Sequence, residues 1–299
     1  MQLARGFAMG AADIVPGVSG GTVALLLGIY ERLLRSIGSA ARALGRLVRG
    51  DAAGALSRIR EVEWTFLVPL VVGILAAVAA LSSLLARLLE DYPEEMAGLF
   101  FGLVVASIIV AFGLLKRLDG PRLILLLAVA VVAFFLLGLQ SGPVASPSLL
   151  AFFGAGAIAI CAMILPGISG SFLLLMIGMY AAVLDAVNER ALGDLLVFAL
   201  GVVIGIALFS SALTWLLERA HDTVLAALIG LMLGSLRVLW PWPNGVGVIS
   251  DETDKVIDGT GLDWPASGDV LVPVLLAVGG FALAVGLARL STSRSLVER

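Results

Sequence analysis

Residues 13–30 read D-I-V-P-G-V-S-G-G-T-V-A-L-L-L-G-I-Y, and residues 163–180 read M-I-L-P-G-I-S-G-S-F-L-L-L-M-I-G-M-Y. At an offset of 150 residues Pro16 matches Pro166, Gly17 matches Gly167, Ser19 matches Ser169 and Gly20 matches Gly170. Gly28 and Tyr30 match Gly178 and Tyr180 in the same register. Each stretch lies in a longer apolar run, 6–30 and 149–186, which the Pro-Gly pair breaks near its middle. Proline ends the incoming helix because it has no N–H to donate and its ring clashes with the turn before it. Glycine then permits the unusual φ of a tight turn. A half such as 6–15 is too short to cross a bilayer, which takes about 20 residues. Both runs are therefore expected to be re-entrant helical hairpins, with Pro16, Gly17, Pro166 and Gly167 at their turns. Irregular backbone at membrane depth survives only where protein or a wet cavity surrounds it.

The composition agrees with a membrane setting. The 299 residues are 60% hydrophobic and 14% charged, against about 25% charged in a soluble protein. The apolar runs are too long, and alternate too little, for the roughly 10-residue strands of an outer-membrane barrel. An all-α polytopic membrane protein is the expected class. The net charge of −3, with Lys116 and Lys255 the only lysines, argues against a nucleic-acid partner. Cys161 and His221 each stand alone. That excludes an intrachain disulfide, a CxxC pair and a multi-ligand zinc cluster, so no metal or cofactor is expected. The N-terminus offers only Arg5 before the first motif, and no cleavable signal peptide is expected.

Six further apolar segments are long enough to span: 64–89, 95–116, 121–140, 194–217, 222–241 and 269–290. Segment 31–63 carries Arg32, Arg35, Arg42, Arg46, Arg49, Arg58 and Arg60 and should be cytoplasmic. It is expected to be either an interfacial helix near anionic headgroups or a solvated basic linker. Glu90, Asp91, Glu94 and Glu95 then fall outside, Lys116, Arg117 and Arg122 inside, and the acidic loop 243–268 outside. Both termini are expected in the cytoplasm.

A second register, offset by 132 residues, relates the following helices: Phe66 to Phe198, Gly73 to Gly205, Arg87 to Arg219, Gly98 to Gly230 and Gly102 to Gly234. The chain thus reads as one membrane domain made by duplication. Repeat 1 is 1–140 and repeat 2 is 149–290, each a hairpin plus three spans. An odd number of spans between the hairpins inverts the second copy. Inverted repeats with broken helices mark a transporter's binding site near the bilayer midplane. The two G-x-x-x-G patterns at 98/102 and 230/234 are read as close helix packing.

Beyond each turn, the outgoing helix opens with N–H groups that lack intrahelical acceptors. Ser19, Gly20, Gly21 and Thr22 stand there in the first copy, and Ser169, Gly170 and Ser171 in the second. The hydroxyls either cap their own helices or help the amides and helix dipole hold an anion such as phosphate or carboxylate. Asp13, with Met163 as its counterpart, is an intramembrane carboxylate that could carry a proton or pair with an arginine. Arg237, inside the run 222–241, either faces the site or snorkels outward. Arg5 and Glu31-Arg32 bracket the first hairpin and read as interfacial anchors. Gly17-Val18-Ser19-Gly20-Gly21 also fits the G-x-S-x-G nucleophile pattern. A serine nucleophile needs a base in reach, and His221 falls in a polar break on the cytoplasmic side, so a hydrolase is not expected.

G-A-A-D-I-V-P-G-V-S-G-G-T with G-I-Y-E-R-L in residues 10–33, I-L-P-G-I-S-G-S-F with G-M-Y, and G-S-L-R-V-L-W-P-W at 234–242 resemble the signatures of the PopT-type undecaprenyl-phosphate translocases. The resemblance covers essentially the whole chain. It implies a non-enzymatic flippase of the bacterial cytoplasmic membrane, coupled to an ion or proton, that returns the polyprenyl-phosphate carrier of envelope polymers from the outer to the inner leaflet, with membrane lipids and a second copy of the chain as candidate partners. The family motifs map onto Asp13, Pro16, Gly17, Ser19, Gly20, Gly21 and Thr22, onto Pro166, Gly167, Ser169, Gly170 and Ser171, and onto Arg237 and Trp240. Without it, the residues alone read as a transporter of an anion, including a small soluble one.

Overall fold

The computed structural model describes residues 1–15, 17–139, 143–144, 146–242, 262–265 and 270–297. Pro16 and most of the expected outer loop 243–268 lie outside the described residues. The described residues form twelve helices: α1 Gln2–Asp13, α2 Gly20–Leu26, α3 Tyr30–Val48, α4 Ala52–Glu61, α5 Trp64–Asp91, α6 Pro93–Leu114, α7 Gly120–Leu136, α8 Leu149–Ile164, α9 Gly170–Met176, α10 Tyr180–Asn188, α11 Leu192–Ser235 and α12 Leu271–Val297. Four of them, α5, α6, α11 and α12, are long and apolar enough to cross a membrane, and α9 and α10 form a pair bent by 111°. The protein is a multi-pass, all-helical membrane protein.

The helices depart from the expected segments in two places. Segments 194–217 and 222–241 lie in one 44-residue helix, α11, in which only Ala220 leaves helical geometry (φ −141°, ψ 46°). The polar break Glu218–Asp222 holds no proline or glycine, so the chain bends there without a loop. The helix also ends at Ser235 rather than 241. Residues 236–240 instead donate to carbonyls three residues back, and Pro241 cannot extend the helix. α7 has 17 residues, or about 26 Å at 1.5 Å per residue, close to the hydrocarbon thickness.

Packing joins the first half of the chain to the second. α1 packs along α5 and α8 along α11, while α6 pairs with α12 and α7 with α11. The G-x-x-x-G glycines sit at the latter two crossings. Gly98 and Gly102 face the backbone of Pro273 and Ala277 on α12. Gly230 and Gly234 face Leu126 and Ala130 on α7. In lipid there is no hydrophobic drive between helices, so close backbone approach is what holds them together.

The basic segment is helical. Glu31 Oε1 at the start of α3 accepts from His221 Nε2 at 2.9 Å, next to the Ala220 bend. Arg32 pairs with Glu63 just before α5 and lies 4.3 Å over the Phe66 ring. Asp222 accepts the backbone N–H groups of Lys116 and Arg117 at 3.2 and 3.1 Å, which ties the α6–α7 connection to the same bend.

Candidate site where the two chain breaks meet

Gly17 and Gly167 take φ of +82° and +92°, in the left-handed region that a side chain resists. After each turn the chain passes through Ser19 or Ser169 into a seven-residue helix. A second left-handed glycine, Gly28 or Gly178, then leads into α3 or α10. Both breaks lie in the interior: Ser19 and Thr22 are fully buried, and Ser169 nearly so.

Three side chains of the first break reach the backbone of the second. Ser19 Oγ donates to the Met163 carbonyl at 2.8 Å. Tyr30 Oη donates to the Ile164 carbonyl at 3.1 Å. Thr22 Oγ1 accepts the Gly167 N–H at 2.8 Å. These bonds satisfy carbonyls at the end of α8 and an amide of the second turn, next to fully buried Ser19 and Thr22. Replacing Thr22 with alanine should therefore leave the Gly167 N–H unpaired at a cost of about 1–3 kcal/mol. A lowered melting temperature in detergent checks this, and Thr22→Ser should largely restore it.

Within each break the local pattern differs. Gly20 N–H donates to Asp13 Oδ1 at 2.6 Å, and Gly21 N–H to Ser19 Oγ at 3.0 Å. In the second copy Met163 lies against Gly170 as Asp13 lies against Gly20. Ser169 makes no cap bond, and its hydroxyl pairs with Ser171 Oγ at 2.7 Å. Ser19 thus both caps its own helix and crosses to the other half. The first-copy amides are already occupied, while the second copy presents two hydroxyls and no carboxylate.

The structure does not pair Asp13 with Arg237. The Arg237 guanidinium lies 4.8 Å over the Phe134 ring and donates to the Phe134 carbonyl at 3.3 Å, beside Gly138 at the end of α7. What touches the breaks is its turn. Val238 and Leu239 pack under Gly17, and Met232 and Ser235 under Gly167.

An apolar groove of about 470 Å³ opens beside the junction. α3 gives it Leu33, Leu34, Ile37, Ala40, Ala41 and Leu44, while α5 and α11 supply the facing wall. Asp13, Gly20 and Gly21 line its polar end, with Tyr30 and Met163 beside them. Two functional features escaped the sequence reading. Tyr30 was legible as a repeated position, yet nothing marked its hydroxyl as a cross-link. The groove-lining face of α3 was legible as apolar residues at three- and four-residue spacing among the arginines.

Residues 9–257 match the family described as undecaprenyl phosphate translocase-like. A protein of Vibrio cholerae named polyprenyl-phosphate transporter is 44% identical over 238 residues, which cover 80% of this chain and 76% of the relative. One of Staphylococcus aureus with the same name is 31% identical over 258 residues, covering 81% and 86%. No solved structure matches.

Proposed function

The chain belongs to the undecaprenyl phosphate translocase-like family, and we propose that it moves polyprenyl phosphate from the outer to the inner leaflet of the bacterial cytoplasmic membrane. A phosphate head crosses hydrocarbon slowly because burying a charge without partners is costly. A prenyl tail has no such difficulty and can stay in lipid throughout. A transporter for this molecule therefore needs a polar interior station with an apolar opening to the side. The observation that carries the reading is the groove of about 470 Å³ that ends on Asp13, Gly20 and Gly21. A small soluble anion would call instead for an enclosed polar vestibule.

In this reading 1–140 and 149–290 are inverted repeats, each a re-entrant hairpin plus three spans, with both termini cytoplasmic. The pairing of α6 with α12 and of α7 with α11 supports it, because equivalent helices of the two halves then exchange partners. The head is held by Ser19, Gly20, Gly21 and Thr22 from one break and by Ser169, Gly170 and Ser171 from the other. Arg237 draws it toward the junction from the α7 end.

Asp13 gives the step its coupling. Its carboxylate holds the Gly20 N–H, in the place an anionic oxygen of the head would take. Protonating Asp13 weakens that bond and removes the repulsion between two anions, so a proton enters as the phosphate binds. When the head leaves toward the cytoplasm, Asp13 releases the proton and takes back the Gly20 amide. No bond of the lipid is made or broken, which makes the protein a carrier rather than an enzyme.

Reconstitution of the full chain into liposomes with labelled undecaprenyl phosphate tests the reading. Protein-dependent movement of label between leaflets is expected, slowed at least tenfold by Ser169→Ala with Ser171→Ala. A folded protein that leaves the label in place, or that moves inorganic phosphate instead, would overturn it.

A further inference from the structure

A second apolar pocket, of about 390 Å³, lies between α6 and α12 and is also lined by Trp240, Pro241 and Trp242. It is separate from the groove at α3 and shares no residue with it. Its α6 wall, Gly98 to Val105, runs from the second turn of a helix that begins at Pro93 to that helix's middle, and its α12 wall, Pro273 to Phe281, lies in the first three turns of a helix that begins at Leu271. In sequence those starts follow the acidic segments 90–95 and 243–268, which the positive-inside rule puts on the side opposite to the basic segment 31–63. In the inverted-repeat reading this pocket therefore lies nearer the outer face than the groove at α3 does.

Two features distinguish this pocket from an ordinary lipid-facing crevice. Its aromatic end is a built stack: Trp240 meets Trp242 edge-on at 5.4 Å between centroids and Phe101 at 6.2 Å. The Trp242 indole N–H is buried and has no acceptor among the described residues. A buried indole usually finds a partner. The Trp240–Trp242 segment also follows directly on Val238 and Leu239, which seat the Gly17 turn of the first break.

We infer that this pocket is the outer-leaflet docking site of the lipid, with the prenyl chain near its head lying between α6 and α12 and an oxygen of the head accepting from Trp242. The inference rests on the translocation reading for the identity of the lipid. Its volume falls in the range of small-molecule sites, about 300–1,000 Å³, and suits a few isoprene units while the rest of the tail stays in the bilayer. Rigid aromatic faces suit the methyl-branched, unsaturated chain, and the adjoining 238–239 turn leads the head to the junction.

The experiment uses the full chain in liposomes with a polyprenyl phosphate carrying a photoactivatable group in its first isoprene units. Adducts are located by mass spectrometry, and flipping is measured on the same preparations. Labelling is expected on α6, α12 and 240–242, displaced by unlabelled polyprenyl phosphate but not by an excess of phosphatidylethanolamine. Trp242→Phe, which keeps the ring and removes the donor, should lower both labelling and the initial inward rate about fivefold, the worth of one hydrogen bond. Val278→Trp fills the pocket from an exposed position and should lower both more than tenfold. Val131→Trp, exposed on α7 away from the pocket, should leave both within about twofold. Equal displacement by phosphatidylethanolamine, or parental labelling and rates in both pocket variants, would overturn the site. Specific labelling without flipping in the parent would instead overturn the translocation reading and leave the site standing.

Discussion

Asp13→Asn should uncouple translocation from the proton gradient while leaving the fold intact. The substitution keeps the shape of the side chain and an oxygen that can still accept the Gly20 N–H, bonded to Asp13 at 2.6 Å in the parent. It removes the exchangeable charge. Inward movement of one negative charge against an inside-negative potential costs about 2.3 kcal/mol per 100 mV. A proton moving with the phosphate cancels that cost, so the parent should fill the inner leaflet whatever the potential and should respond to an acidic exterior. In the variant the head travels alone. At 100 mV its inner-to-outer ratio should fall by roughly fiftyfold relative to the parent, the equilibrium factor for 2.3 kcal/mol. With no potential imposed the two should differ by less than about tenfold. Leaflet ratios of labelled lipid in liposomes with imposed potassium potentials and pH gradients read both numbers. A variant that follows the pH gradient as the parent does would remove Asp13 from the coupling.

The same residue marks where the sequence could and could not be read. The break itself was legible because its causes are local: a proline that cannot donate, and a glycine that can turn left-handed. Gly17 and Gly167 bear this out with φ of +82° and +92°. The starts of several long helices were legible because hydropathy sums along the chain, and α5, α6 and α12 begin within two residues of the expected positions. The choice of long-range partners was not legible. Ser19 looked equally able to cap its helix or to face a ligand, and it caps while also donating to Met163, 144 residues away. That choice depends on how the two breaks are brought together, and no local pattern encodes it. Arg237 likewise read as either facing the site or snorkelling outward, and its guanidinium lies over Phe134, two residues past the end of the helix at Ser235. The arginines of 31–60 drew the reading of α3 toward a membrane surface. Its apolar face, which lines the groove, is equally present in the same residues.

Gly102→Leu should be the most damaging single change to the fold. At most glycines of a helix a larger side chain has room to move, and the cost stays near 1–3 kcal/mol of overpacking. At Gly102 an added Cβ would fall on the carbonyl and Cα of Ala277, which are backbone and cannot turn aside. Only separation of α6 from α12 relieves the overlap, and that undoes neighbouring contacts such as Gly98 on Pro273 and Gly280 on Leu99. The loss should exceed 3 kcal/mol, because several close approaches fail together. Gly234→Leu tests the equivalent crossing, where an added Cβ would meet the Ala133 Cβ at 2.5 Å and the Ala130 carbonyl at 2.6 Å. There the nearest approach is 2.5 Å, longer than the approach to the Ala277 carbonyl at Gly102, so the penalty should be smaller. Gly113, with open space around it, should accept leucine with little change, being on the same helix as Gly102 but away from any crossing. Melting temperatures in detergent, with yield of monodisperse protein as a second readout, should rank the three as Gly102, then Gly234, then Gly113. Gly102→Leu melting with the parent would mean that α6 and α12 do not depend on this contact, and the glycine spacing would need another explanation.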